Sequence, residues 1–192
     1  MRAMGGRELL ARVTALRWYG KARIVDGART LDFTVNSHVE PFGRVRTDSW
    51  LTTDTSSLRS MIITPEGGFL QRGETSIPLP PAQTLNQRQQ YGVFGYMLLA
   101  KAGTTVTADA GRITAMRDGL PPIRFTLDTD GSLDAADYVV AAADGVGKIT
   151  EHIRFDGKLS DKGVNWPQQI IVIQNGMPYM TLNLESFGVD LA

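Results

Sequence analysis

The feature that most constrains this chain is a period-two alternation of apolar and polar residues, broken at short intervals by turn dipeptides. Leu16, Trp18, Gly20, Ala22 and Ile24 fall on one side of a segment whose other side carries Arg17, Tyr19, Lys21 and Arg23. Successive strand side chains point to opposite faces, so this pattern predicts a half-buried β-strand. Asp26-Gly27 follows, and Leu31, Phe33 and Val35 alternate with Asp32, Thr34 and Asn36 in a return strand. Asp130-Gly131 and Asn175-Gly176 are further hairpin dipeptides, because Gly, Asn and Asp accept the positive φ of tight two-residue turns.

Further strands are expected at 43–52, 57–64, 69–72, 105–109, 112–116, 123–128, 133–142, 148–155, 168–174 and 177–190. Residues 118–122 and 156–164 read as loops. Pro78-Leu79-Pro80-Pro81 cannot lie in a central strand, since proline brings no ladder donor. Two segments read as helices. Residues 7–15 carry Leu9, Leu10 and Val13 at helical spacing. Residues 84–100 are polar at first (Asn86, Gln87, Arg88, Gln89, Gln90) and then strongly apolar through Phe94, Met97, Leu98 and Leu99. Gly92 and Gly95 each weaken that helix by about 1 kcal/mol relative to alanine, so packing has to compensate.

The expected fold is mainly antiparallel β with two or more helices, in the α+β class. It is a curled, unclosed half-barrel of about ten or eleven strands whose helices cover the concave face. A sheet of that size curls because strand twist accumulates. With 192 residues and no linker, repeat or low-complexity tract, residues 1–192 read as a single domain.

Most function classes lack their chemistry here. Lys plus Arg number 20 and Asp plus Glu number 20, a balance that gives no electrostatic footprint for nucleic acid. Arg44, Arg46 and Asp48 beside Trp50 read as a solvated, salt-linked face. The absence of cysteine removes thiolate nucleophiles and thiolate metal sites. His38 and His152 stand far apart, without a second ligand at metal-binding spacing, so no metal and no cofactor is expected. There is no Gly-x-Ser-x-Gly elbow, and Gly145-Val146-Gly147-Lys148 lacks the spacing of a phosphate loop. The chain therefore reads as a protein that is not an enzyme. No stretch approaches the roughly 20 apolar residues of a transmembrane helix.

The alternation points to one shared apolar face. Trp18, Phe33, Phe94, Met97, Leu98, Phe125, Phe155, Val172 and Leu184 are the residues expected to line an apolar cavity there. A curled sheet this wide holds a ligand as well as side chains. The same residues equally suit a filled core. Met61, Met97, Met116 and Met180 suit either an adaptable pocket or an ordinary core. Glu151 falls on the apolar side of its strand. It either lies near the sheet rim or pairs with an arginine, or else it is a polar handle inside a cavity.

Three local patterns carry a family resemblance. The first is Ala3-Met4-Gly5-Gly6 with Leu10, Val13, Leu16 and Gly20-Lys21-Ala22. The second is Val39-Glu40-Pro41 with Arg46 and Trp50, followed by Tyr96-Met97-Leu98-Leu99-Ala100. The third is Trp166-Pro167 with Ile171-Val172, Asn175-Gly176, Leu182 and Leu184. The plan resembles the bacterial lipoprotein-carrier (LolA/LolB-like) superfamily, as a divergent member. The carrier keeps a lid-latching arginine before the proline of its third strand, where Glu40 stands here. The resemblance implies a periplasmic or outer-membrane-associated binding protein, with a signal peptide removed upstream of Met1. Its ligand would be a lipid, a lipoprotein acyl chain or another apolar group. The alternative is a structural, protein-interaction domain of the cell envelope with a filled core.

Overall fold

The computed structural model describes residues 2–192. A 3₁₀ turn (Arg2–Met4) and helix α1 (Arg7–Arg12) lead into β1 (Val13–Asp26) and β2 (Arg29–Val39). A meander continues through β3 (Val45–Leu51), β4 (Asp54–Ile63), β5 (Gly68–Arg72) and β6 (Thr75–Pro78). Helix α2 (Pro81–Met97) crosses to a second meander. This comprises β7 (Thr105–Asp109), β8 (Arg112–Arg117), β9 (Leu120–Leu127), β10 (Leu133–Ala141) and β11 (Lys148–Asp156). A small hairpin, β12 (Leu159–Asp161) with β13 (Val164–Trp166), precedes β14 (Gln169–Gln174) and β15 (Met177–Leu191).

Thirteen strands form one antiparallel sheet in the order β6-β5-β4-β3-β2-β1-β15-β14-β11-β10-β9-β8-β7. The first and last long strands meet at its middle, with Val13 opposite Leu191 and Ile24 opposite Met180. The outer strands β6 and β7 have a neighbour on one side only, so the sheet does not close. Helix α2 joins these two edges and packs against β10, β9, β4 and β5.

Local chemistry accounts for the turns. Asn175 (φ 49°) and Gly176 (φ 80°) form a two-residue loop between the paired Gln174 and Met177. Two successive positive φ values give the turn whose twist matches the flanking strands. Burial alternates along β1 as the sequence predicts: Leu16, Trp18, Gly20 and Ala22 are buried, while Arg17, Tyr19, Lys21 and Arg23 are exposed. Gly20 is required there. A Cβ at this position would run into the Asn183 carbonyl of β15, at a shift in the pairing register.

Several expectations are corrected. The main sheet has thirteen strands, against ten or eleven expected. The four residues of β6 are all exposed, and β12 and β13 have three residues each, so none carries a legible alternation. Strand β12–β13 pairing occupies the expected 156–164 loop, turned by Lys162 (φ 49°) and Gly163 (φ 84°). Strand β9 begins at Leu120, inside the expected 118–122 loop, and tolerates Pro121 and Pro122 near its start. Helix α1 stops at Arg12, because Val13 is already extended (φ −61°, ψ 118°) and enters the sheet. Helix α2 runs from Pro81 to Met97, three residues earlier than expected at each end. Proline suits a first helical position, where no N–H is needed, and Leu99 (φ 55°) turns the chain out of the helix well before Gly103.

Candidate functional site: a cavity between the central helix and the sheet

One side of α2 and eight neighbouring strands, β5 through β1 and β15 through β11 in sheet order, enclose a partly open cavity of about 350 Å³. Its apolar wall comes from inward positions of β1, β2, β14 and β15, including Trp18, Ala22, Phe33, Val172 and Leu182. Phe94 closes it from the helix and packs on Trp18, ring centroids 4.8 Å apart. Arg59 lies over the Phe33 ring at 5.3 Å, a cation–π contact at the wall formed by β4.

The roof is polar. Gln83, Gln87, Gln90, Tyr91 and Phe94 all line the cavity. Their spacing of four, three, one and three residues places them on one helical face. Leu85, by contrast, is 43% exposed. The first half of α2 thus reverses the usual rule that a helix turns its apolar stripe inward.

Hydrogen bonds tie this helix to both walls. Tyr91 Oη and Thr47 Oγ1 are 2.7 Å apart, and Thr47 Oγ1 and Ser37 Oγ 3.0 Å, linking α2 to β3 and β2. Burial pushes the Tyr91 phenol up to about 12, partly opposed by its bond to Thr47. The Arg88 guanidinium donates to the carbonyls of Thr64 (2.8 Å) and Pro65 (2.9 Å) in the β4–β5 turn. On the other side the Asn86 amide donates to the Ala141 carbonyl (2.7 Å), and the Ala141 N–H donates to Gln89 Oε1 (2.6 Å). Two side chains one helical turn apart therefore satisfy both backbone groups at the end of β10.

Glu151 is 3% exposed and lies in the cavity wall on β11. Its Oε1 accepts from Gln90 Nε2 of α2 (2.9 Å) and from Gln174 Nε2 of β14 (2.8 Å). Burial raises its pKa above the ordinary carboxylate value, opposed by the two amide donors. The expectation of a rim position or an arginine partner is overturned: Glu151 is buried and its partners are two neutral amides. Tyr138, directly opposite on β10, is also buried, and its hydroxyl has no hydrogen-bond partner among the described residues.

The structure divides the residues expected to line one cavity. Trp18, Phe33, Phe94 and Val172 line it, together with Glu151, Met61 and Met180. Met97, Leu98, Phe125, Phe155 and Leu184 do not; they are buried in the core. Phe125 on β9 and Phe155 on β11 lie 6.5 Å apart, ring centroid to ring centroid, and pack in the core cluster outside the cavity lining. Leu31 is 37% exposed, and Met116 is 43% exposed outside the core.

Other polar residues take up surface roles. Arg46 pairs with Asp48 at 3.0 Å, as expected of a salt-linked face. His38 is exposed, and His152 Nδ1 is 2.9 Å from Asp137. No cluster of His, Asp and Glu able to hold a metal occurs among the described residues. No helix among them is long and apolar enough to cross a membrane.

The sequence reading missed Gln83, Gln87, Gln90, Tyr91, Ser37 and Thr47 as lining residues. One signal was present: Gln83, Gln87 and Gln90 share a face that continues into Tyr91 and Phe94. Glutamine runs on helices are ordinarily solvated, so the pattern pointed outward.

No protein-family model matches the chain, and no curated protein matches it in sequence. Solved structures do match in shape. A LolA superfamily protein from Nitrosomonas europaea superposes with a TM-score of 0.60 at 10% identity, over 100% of this chain and 94% of that one. An outer membrane lipoprotein-sorting protein domain from Vibrio parahaemolyticus gives 0.60 at 6% identity, over 92% and 85%. A DUF1329 family protein from Desulfovibrio piger gives 0.55 at 7% identity, over 96% and 89%. At these identities the likeness is one of fold, and it extends over nearly every element described above. The chain has the LolA-type fold, an unclosed antiparallel sheet wrapped around a crossing helix, in a sequence far diverged from the structures that share it.

Proposed function

We propose that this chain is a non-enzymatic binding protein of the cell envelope that holds a lipid, a lipoprotein acyl chain or another apolar group in the cavity under α2. One observation carries the reading: a partly open cavity of about 350 Å³ whose sheet side is lined by Trp18, Phe33, Val172 and other apolar side chains. That volume falls at the lower end of the roughly 300–1,000 Å³ of small-molecule sites. It suits one slender chain better than several. The periplasmic or outer-membrane setting rests on the fold shared with a lipoprotein-sorting domain.

Native mass spectrometry of freshly purified protein tests the reading. The expected spectrum contains an apolar adduct at one copy per chain, lost in Ala22→Phe, which places a ring in the cavity. Adduct-free protein that also takes up no added fatty alcohol contradicts it. Such a result favours a structural envelope domain, for which the side-chain-filled half around Phe125 and Phe155 is the supporting observation.

A further inference from the structure

Glu151 is the only ionisable carboxyl among the buried polar side chains of the described residues. Among the described residues no cation pairs with it. The ion pairs of those residues are Arg17–Asp190, Lys21–Glu185, Arg23–Asp32, Arg46–Asp48 and His152–Asp137. Arg59, the one cation in the cavity wall among the described residues, stands on β4 and is separated from β11 along the sheet by β3, β2, β1, β15 and β14. Both amides that hold Glu151 donate to the same oxygen, Oε1, and none of the described residues donates to Oε2. A carboxyl group accepts through both oxygens. Oε2 is not sealed in protein: the buried unpartnered side-chain atoms of the described residues are Thr104 Oγ1, Tyr138 Oη and Trp166 Nε1, so Oε2 stays accessible and free to accept, in a wall that an apolar residue would fill at lower cost.

The missing partner is a donor, and the cavity is where it would arrive. We propose that Glu151 recognises a hydrogen-bond donor at the polar end of the ligand, so that the cavity prefers single-chain amphiphiles ending in an amine or a hydroxyl over those ending in a carboxylate. This rests on the cavity binding an apolar ligand. An ammonium group supplies the missing cation and bonds Oε2 in one contact. A hydroxyl supplies the bond without the charge. A ligand carboxylate has to share a single proton with Glu151 or bring a second negative charge into the same low-dielectric wall. The neighbouring amides add to the selectivity, because Gln90 and Gln174 hold the carboxyl in place from α2 and β14.

The test is displacement of one cavity-bound fluorophore by dodecylamine, dodecanol and dodecanoate, from the wild-type chain and from Glu151→Gln. From the wild type, the amine is expected to displace at about tenfold lower concentration than the carboxylate, with the alcohol between them. In Glu151→Gln the three are expected to converge to within about threefold. Three probes that displace equally well from the wild type overturn the proposal while leaving the cavity reading standing. So does a ranking that survives unchanged in Glu151→Gln. A wild type that binds neither fluorophore nor probes overturns both. Equal displacement from the wild type overturns the proposal without the variant, so the test stays falsifiable even where Glu151→Gln does not fold.

Discussion

Gly95 decides how closely α2 approaches Phe42. A Cβ on Gly95 would sit 2.7 Å from the Phe42 ring, which packs edge-on against Tyr96 at 5.1 Å and lies under the Arg117 guanidinium at 4.4 Å. Helix propensity alone favours alanine at position 95 by about 1 kcal/mol. The contact reverses that sign, because Phe42 is held on both sides and overpacking typically costs about 1–3 kcal/mol. Gly95→Ala is therefore expected to lower stability in urea denaturation. Glu151 makes a second prediction at this scale. Burial raises its pKa in the folded chain above the ordinary carboxylate value, so the folded state holds the proton more tightly than the unfolded state. Its contribution is then fully present below the unfolded pKa and is lost as pH rises towards the raised folded value. Glu151→Gln removes the titration. The stability of this variant relative to wild type is expected to climb from about pH 4 towards neutrality, as read from denaturation midpoints across that range. A flat difference would mean that Glu151 titrates alike in both states.

Helix α2 behaves as a strut fastened at both ends of a span. Arg88 and Tyr91 fix it to the β3–β5 side, while Asn86, Gln89 and Gln90 fix it to β10 and β11. The double substitution Asn86→Ala/Gln89→Ala leaves the Ala141 N–H and C=O without partners. Ala141 is half-buried, so each lost partner costs at most about 1–3 kcal/mol. Hydrogen exchange is expected to accelerate together in the first half of α2 and the end of β10, and to stay slow in β1 and β15. This element was also the least legible one in the sequence. Its existence followed from the apolar run ending in Met97 and Leu98, but its polar half gave no sign of facing a cavity. Polar residues on a helix usually face water, and only the position of Thr47, Glu151 and Ala141, far away in sequence, reverses that. The strands were legible because alternation and turn chemistry are local: Asn175-Gly176 turns where it was expected to, and the first hairpin turns one residue later than Asp26-Gly27, at Gly27-Ala28, with Asp26 paired to Arg29. Division of the apolar face into a cavity half and a filled half was not legible, since Trp18 and Phe125 look alike in an alternating pattern.

At the scale of the whole molecule, the two meanders are joined along β1 and β15 at the centre of the sheet and again through α2 over its concave side. The core cluster runs from Met4 to Val189 without a break between the halves. Neither half completes its own core. The chain is accordingly expected to unfold in one calorimetric transition, with the calorimetric enthalpy equal to the van't Hoff value; two resolved transitions would contradict a single domain. The central claim is that the space under α2 is a binding site. It is tested most directly by titrating an environment-sensitive apolar fluorophore into the wild type, into Ala22→Phe, and into Val139→Phe, a control on an exposed strand position. The wild type and the control are expected to bind one fluorophore per chain saturably, and Ala22→Phe at least about tenfold more weakly. Equal binding to all three would contradict the claim.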